Sequence, residues 1–210
     1  MANQTQTTSV SRPEFVYFDL GNVLLFFNHG IAARSMAKVI GVEPSVIKQL
    51  VFDSDLQLAY ERGELSSREF VDLLSERFGK SLPHDELLEA AADIFVPNMN
   101  ILPVLDRIKK LGIPMGLLSN TCDAHWKWIL QMNYPQLQGW FDPIVLSYEV
   151  RSMKPSPEIY DISTQLAKTR PEAIFFTDDR LENIEGAKRA GWQVAPFTSA
   201  DRLSDLVAKW

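Results

Sequence analysis

Three short apolar runs, each unbroken by polar alternation and each ending in polar residues, constrain the fold of this chain most. They are Phe15-Val16-Tyr17-Phe18 before Asp19, Met115-Gly116-Leu117-Leu118 before Ser119-Asn120, and Ala173-Ile174-Phe175-Phe176 before Thr177-Asp178-Asp179. A strand wetted on one face alternates apolar with polar residues. One that is apolar throughout is covered on both faces, as in a parallel sheet flanked by helices. The crossovers such a sheet needs are present as segments of helical period: Val104, Leu105, Ile108 and Leu111, then Ile159, Ile162 and Leu166 after Pro157, then Ile184, Ala187 and Ala190. Gly112 and Gly191 stand where helix C′ residues belong. The pattern predicts an α/β chain built on a doubly wound, parallel, Rossmann-like sheet. Further strands are expected at Ile144-Val145-Leu146 and Trp192-Gln193-Val194-Ala195, and a last helix over Arg202 to Lys209.

The stretch from Gly30 to Phe95 reads as several helices with no strand. A helical cap inserted after the first strand is therefore expected over 30–95, dividing a Rossmann-like core made of 14–29 and 96–210. Within it, Ser66-Ser67-Arg68-Glu69 fits a capping box, followed by Phe70, Leu73, Leu74 and Phe78 on one helical face. Another helix is expected over Glu86 to Phe95. Met1 to Pro13 is polar, has no apolar h-region, and reads as a flexible tail. Nothing approaches the roughly 18 to 20 consecutive apolar residues that span a bilayer. A net charge of −6 offers no overall basic field for nucleic acid or an anionic membrane. The single cysteine, Cys122, cannot form an internal disulfide; it reads as structural and the protein as cytoplasmic.

In an open α/β sheet, ligands bind outside the carboxyl ends of the strands, so Asp19, Ser119 and the Asp178-Asp179 pair should converge there. Two adjacent carboxylates repel unless a cation intervenes. Carboxylates without a His or Cys set favour a hard, oxygen-coordinated ion such as Mg²⁺, usually held together with substrate phosphate.

Four segments then occur in order: Phe18-Asp19-Leu20-Gly21-Asn22-Val23-Leu24, Leu117-Leu118-Ser119-Asn120-Thr121, Met153-Lys154-Pro155-Ser156-Pro157, and Phe176-Thr177-Asp178-Asp179-Arg180-Leu181-Glu182-Asn183. Together they resemble the haloacid dehalogenase superfamily of aspartate-nucleophile hydrolases from Phe15 onward. Within that superfamily they are similar to bacterial sugar-1-phosphate phosphatases and the amino-terminal phosphatase domain of soluble epoxide hydrolases. The resemblance implies a Mg²⁺-dependent phosphatase acting on a small phosphorylated metabolite, with a sugar phosphate the candidate, through an aspartyl-phosphate formed on Asp19. It implies Mg²⁺ held by Asp19, the Gly21 carbonyl and Asp179, with Asp178 and Asn183 orienting waters and the loop. The Ser119 hydroxyl, the Asn120 N–H and the Lys154 ammonium would bind the transferring phosphoryl oxygens. No nucleic acid or membrane partner is implied, and the pattern fixes no oligomeric state.

The sequence departs from the family at Gly21, where most of its phosphatases carry a second Asp as general acid and base. Such a group contributes typically about 10² to 10⁴ in rate, and His29, Asp53 and Glu61 are candidates to replace it. Asn22 stands where Gly is common, and Asn also tolerates positive φ. Phe26, Phe27, Trp126 and Trp128 could shape a pocket but read first as packing residues. Two other functions compete: a dehalogenase using the same Asp19, which would explain Gly21 but not the retained acidic pair, and a non-catalytic phosphate-binding regulator.

Overall fold

The computed structural model describes residues 11–210. Its strands are β1 (Phe15–Phe18), β2 (Leu25–Phe27), β3 (Phe95–Pro97), β4 (Met115–Ser119), β5 (Phe141–Leu146), β6 (Ile174–Asp178) and β7 (Gln193–Pro196). Five of them form one sheet in the order β5-β4-β1-β6-β7, every pairing parallel. The three apolar runs are its three central strands. Val16, Phe18, Leu117 and Phe175 point to one face and Phe15, Tyr17, Leu118 and Phe176 to the other, all of them buried. Each face needs its own helical layer, which is why no polar position interrupts the runs.

The helices are α1 (His29–Ile40), α2 (Pro44–Ile47), α3 (Leu56–Glu61), α4 (Ser67–Phe78) and α5 (His84–Ala92) before the second apolar run. After them come α6 (Leu102–Lys110), α7 (Asp123–Met132), α8 (Ser147–Val150), α9 (Pro157–Ala167), α10 (Leu181–Arg189) and α11 (Ala200–Val207). Val104, Leu105 and Ile108 of α6 and Leu203 and Val207 of α11 cover the first sheet face. Ile159 and Tyr160 of α9 and Ile184 and Ala187 of α10 cover the second. Gly112 and Gly191 follow α6 and α10 with φ of +71° and +87°, the left-handed turn that ends a helix.

Helices α1 to α5 build a lobe with its own apolar core, including Met36, Ile40, Ile47, Val51, Phe70, Leu74 and Leu87. That core runs on into Cys122 and Ala124 at the head of α7, so the lobe is packed against the sheet domain. The capping box opens α4 as its spelling requires: Ser66 Oγ accepts from the Glu69 N–H at 3.2 Å and Glu69 Oε2 accepts from the Ser66 N–H at 2.8 Å.

Two local expectations are corrected. The helix expected over Glu86 to Phe95 starts earlier, at His84, and stops at Ala92. Phe95 belongs to β3, which pairs antiparallel with β2 through Phe27↔Phe95 and Leu25↔Pro97. Asp93 leaves the helical region (φ −77°, ψ 68°), and Phe95-Val96-Pro97 finds its backbone partners about 70 residues earlier, a non-local pairing that helical period cannot signal. The expected tail lies outside the described residues up to position 10. At Arg12, the guanidinium donates to the Leu111 carbonyl at 2.8 Å. Among the described residues no helix is long and apolar enough to cross a membrane.

Candidate active site

Asp19 follows β1 directly, Ser119 ends β4 and Asp178 ends β6. Phe18 is in register with Leu117 on one side and Thr177 on the other, so the parallel sheet delivers all three polar ends to one edge. The Asp19 N–H donates to the Thr177 carbonyl at 3.0 Å, extending the ladder into the site. A cavity of about 240 Å³ opens there, lined by Asp19, Gly21, Ser119, Asn120, Lys154, Asp179 and Asn183 from the sheet domain and by Gln57, Leu58 and Glu61 of α3 from the lobe. Of the residues that the resemblance implies as nucleophile, metal ligand, loop-orienting or phosphate-binding groups, only Asp178 is absent from this wall; it lies fully buried beneath it.

Lys154 organises the floor. Its ammonium donates to Asp19 Oδ1 and Asp178 Oδ2, both at 2.6 Å, and to the Leu118 carbonyl at 2.8 Å, with its side chain 1% exposed. Burial pulls this ammonium toward neutrality, and the carboxylates of Asp178 and Asp19 more than offset it, so its pKa lies above the ordinary lysine value. Burial pushes the Asp19 carboxyl up to about 7, against the attraction of Lys154 and with the Asp178 carboxylate adding to the rise. Asn120 holds the lysine loop in place: its Nδ2 donates to the Lys154 carbonyl and its Oδ1 accepts from the Lys154 N–H, both at 2.8 Å. This side-chain clamp was not part of the sequence expectation, which assigned Asn120 only a backbone N–H.

The acidic pair divides by burial. Asp178 Oδ1 accepts from the Arg180 N–H at 2.8 Å, and Asn183 Nδ2 donates to both of its oxygens. With Lys154 added, its hydrogen-bonding capacity is consumed within the protein. Asp179 is partly exposed and accepts one hydrogen bond from Asn22 Nδ2 at 2.9 Å. Oxygens of Asp19, Asp178 and Asp179 can be chosen that all lie within 4.8 Å of one another. This hard oxygen set fits a Mg²⁺ ion, with Asp19 and Asp179 as the groups left facing the cavity.

The turn after Asp19 survives the substitution of Asn for Gly, because Asn22 adopts φ +56°. Gly21 is constrained by space. A Cβ there would sit 2.7 Å from Cε1 of Phe27, so the ring of Phe27 covers the place where a side chain at 21 would begin. Phe27 lines the cavity, whereas Phe26 on the same strand is 46% exposed and Trp126 is packed in the core.

Of the candidates to replace an acid at 21, Asp53 is exposed, paired with Lys48 at 2.9 Å, and not in the cavity wall. His29 is in the wall, stacked on Phe52 with ring centroids 4.7 Å apart, and burial lowers its pKa. Glu61 is in the wall too, and burial raises its pKa despite the hydrogen bond from Gln57 and the charge of Arg180. His125 of α7, buried and pushed down to about 4 by burial and by His29, also lines the cavity, as does Arg180. Sequence reasoning singled out neither. Arg180 carried a signal in its position next to the acidic pair, while His125 lies six residues past Ser119 with no pattern to mark it. Cys122 is buried and burial pushes its thiol pKa up, in keeping with a packing role.

Comparison with known proteins matches residues 14–191 to the haloacid dehalogenase-like hydrolase family. The chain is 27% identical to a D-ribitol-5-phosphate phosphatase of Bacteroides thetaiotaomicron over 198 residues, covering 91% of this chain and 95% of that one. It is 26% identical to a glyceraldehyde 3-phosphate phosphatase of Methanopyrus kandleri over 170 residues, 76% of this chain and 70% of the other. Among solved structures, a family enzyme from Bacteroides thetaiotaomicron in complex with magnesium and inorganic phosphate superposes with a TM-score of 0.76 at 27% identity, covering 88% of this chain and 93% of that one.

Proposed function

The chain belongs to the haloacid dehalogenase-like hydrolase family, and from that premise we propose that it is a Mg²⁺-dependent phosphatase that removes phosphate from a small phosphorylated metabolite, a sugar or polyol phosphate, through an aspartyl-phosphate on Asp19. The observation that carries this reading is the convergence of Asp19, Ser119, Lys154 and Asp179 on one cavity beneath a helical lobe. A phosphatase relative spanning 91% of the chain supports it, as does a neighbour that holds magnesium and phosphate.

In this mechanism Asp19 attacks phosphorus in line with the leaving oxygen, and water then hydrolyses the acyl phosphate. The Ser119 hydroxyl, the Asn120 N–H and the Lys154 ammonium hold the equatorial oxygens. Lys154 also offsets the repulsion between Asp19 and the incoming dianion, a task its two 2.6 Å contacts suit it to. Asp19, the Gly21 carbonyl and Asp179 would hold Mg²⁺, with Asp178 and Asn183 fixing the loop behind Asp179. The ion, when bound, supplies the remaining positive charge against the phosphate oxygens. The lobe of α1 to α5 serves as the cap, bringing Gln57, Leu58 and Glu61 over the opening.

The test is phosphate release from p-nitrophenyl phosphate and a panel of sugar and polyol phosphates, with and without Mg²⁺, for the parent and Asp19→Asn. Mg²⁺-dependent turnover in the parent and none in Asp19→Asn is the expected result. Turnover that persists in Asp19→Asn, or that ignores Mg²⁺, would overturn the assignment.

A further inference from the structure

Resting on the phosphatase reading, we propose that Glu61 of the helical lobe is the general acid and base of the reaction, supplying the proton that a glycine at position 21 cannot.

Three independent features lead to it. The place an acid would occupy at 21 is closed, because a Cβ there meets the Phe27 ring at 2.7 Å. Glu61 lines the same cavity as Asp19. Its backbone is also fixed to the phosphate-binding loop: Ser147 Oγ donates to the Glu61 carbonyl at 2.7 Å and accepts from the N–H of Thr121, two residues after Ser119, at 2.9 Å. A second tie stands one residue away, where Tyr60 Oη accepts from the Ala124 N–H at 3.1 Å. Immediately beyond, Gly63 (φ +69°) runs so close to α8 that a Cβ would collide with the Tyr148 carbonyl. The end of α3 is thus joined to the sheet domain at the site's rim, so Glu61 is positioned rather than carried on a loose lid.

The carboxyl itself is set up for the task. Gln57 Nε2 donates to Oε1 at 2.8 Å, one helical turn away, and among the described residues no other hydrogen bond to this carboxyl is found. Burial holds the protonated form to higher pH than an ordinary glutamic acid. The competing groups are shifted the wrong way. To give up a proton as a general acid near neutral pH an imidazole must be the cation, and burial disfavours that form in both His29 and His125.

In the first step the Asp19 oxygen bonds to phosphorus, the phosphorus–oxygen bond to the leaving group breaks, and Glu61 passes its proton to the departing oxygen. In the second, the Glu61 carboxylate takes a proton from water as that water bonds to phosphorus. The bond from Asp19 to phosphorus then breaks, releasing inorganic phosphate and restoring both side chains.

The experiment compares kcat/KM of the parent, Glu61→Gln and Glu61→Asp on phenyl phosphate, whose leaving group needs a proton, and p-nitrophenyl phosphate, whose leaving group departs as a stable anion. The expected result for Glu61→Gln is a loss of about 10²- to 10⁴-fold on phenyl phosphate. On p-nitrophenyl phosphate the loss should stay under about tenfold. Glu61→Asp, which keeps a carboxyl, should recover part of the difference, and thermal melts of both variants report on folding. Equal losses on the two substrates, or no loss on either, overturn the assignment of Glu61 while leaving the phosphatase reading intact. A parent protein with no Asp19-dependent turnover on either substrate overturns both.

Discussion

Removing the ammonium of Lys154 tests the electrostatics of the site without any substrate. Lys154→Met keeps the length of the stem and deletes one charge that contacts two carboxylates at 2.6 Å and a carbonyl at 2.8 Å. Asp178 keeps Asn183 and the Arg180 N–H as partners, so its loss is partial. Asp19 loses its only charged partner among the described residues while 7% exposed. Breaking a buried pair from one side costs about 3–5 kcal/mol. At about 2–4 °C per kcal/mol for a chain of this size, the melting temperature should fall by about 6–20 °C. The effect carries a pH signature. The folded pKa of Asp19 is already raised to about 7 and rises further without the ammonium, while the unfolded value stays near ~3.9. Between those values the folded chain binds more protons than the unfolded one, so stability falls as pH rises through the window. The penalty is fully present above the folded pKa and absent below the unfolded one. Urea denaturation of parent and variant in chelator should therefore show a gap of about 3–5 kcal/mol at pH 8 that narrows at pH 5, where Asp19 is protonated in both. A gap under about 1 kcal/mol at pH 8, the range of an exposed pair, or one of equal size at both pH values, would refute this account.

Two further perturbations probe the scaffold. Gly21→Asp, which restores the residue common in the family, should cost about 1–3 kcal/mol because it forces the Phe27 ring aside. Adding Phe27→Leu should recover most of it, and a double-mutant cycle showing no coupling between the positions would contradict the steric reading. Ser66→Ala removes the cap of α4 and should destabilise the protein by about 0.5–2 kcal/mol. Hydrogen exchange should place the loss in the lobe, and protection that drops equally across the sheet would speak against the lobe having a separate core.

The sequence alone determined the sheet and the identity of the groups at its edge. Unbroken apolar runs allow burial on both faces, polar residues at their ends cannot follow them inside, and parallel pairing brings those ends together; Asp19, Ser119 and Asp178-Asp179 were legible for that reason. Positive φ at Asn22 and the cap at Ser66 were legible too, because each depends on one residue and its immediate neighbours. What only the tertiary structure decided rests on contacts between segments far apart in the chain. The pairing of Leu25–Phe27 with Phe95–Pro97 is one such case. The family resemblance implied the division of labour in the acidic pair, but its physical cause is tertiary as well: Asp178 is consumed by Lys154 and Asn183 while Asp179 faces the cavity. Whether an aspartate fits at position 21 depends on where the ring of Phe27 lies, and which lobe residues meet the site depends on Ser147 tying α3 to the loop after Ser119. Periodicity records which face of a segment is buried, but it carries no information about which distant side chain that face meets.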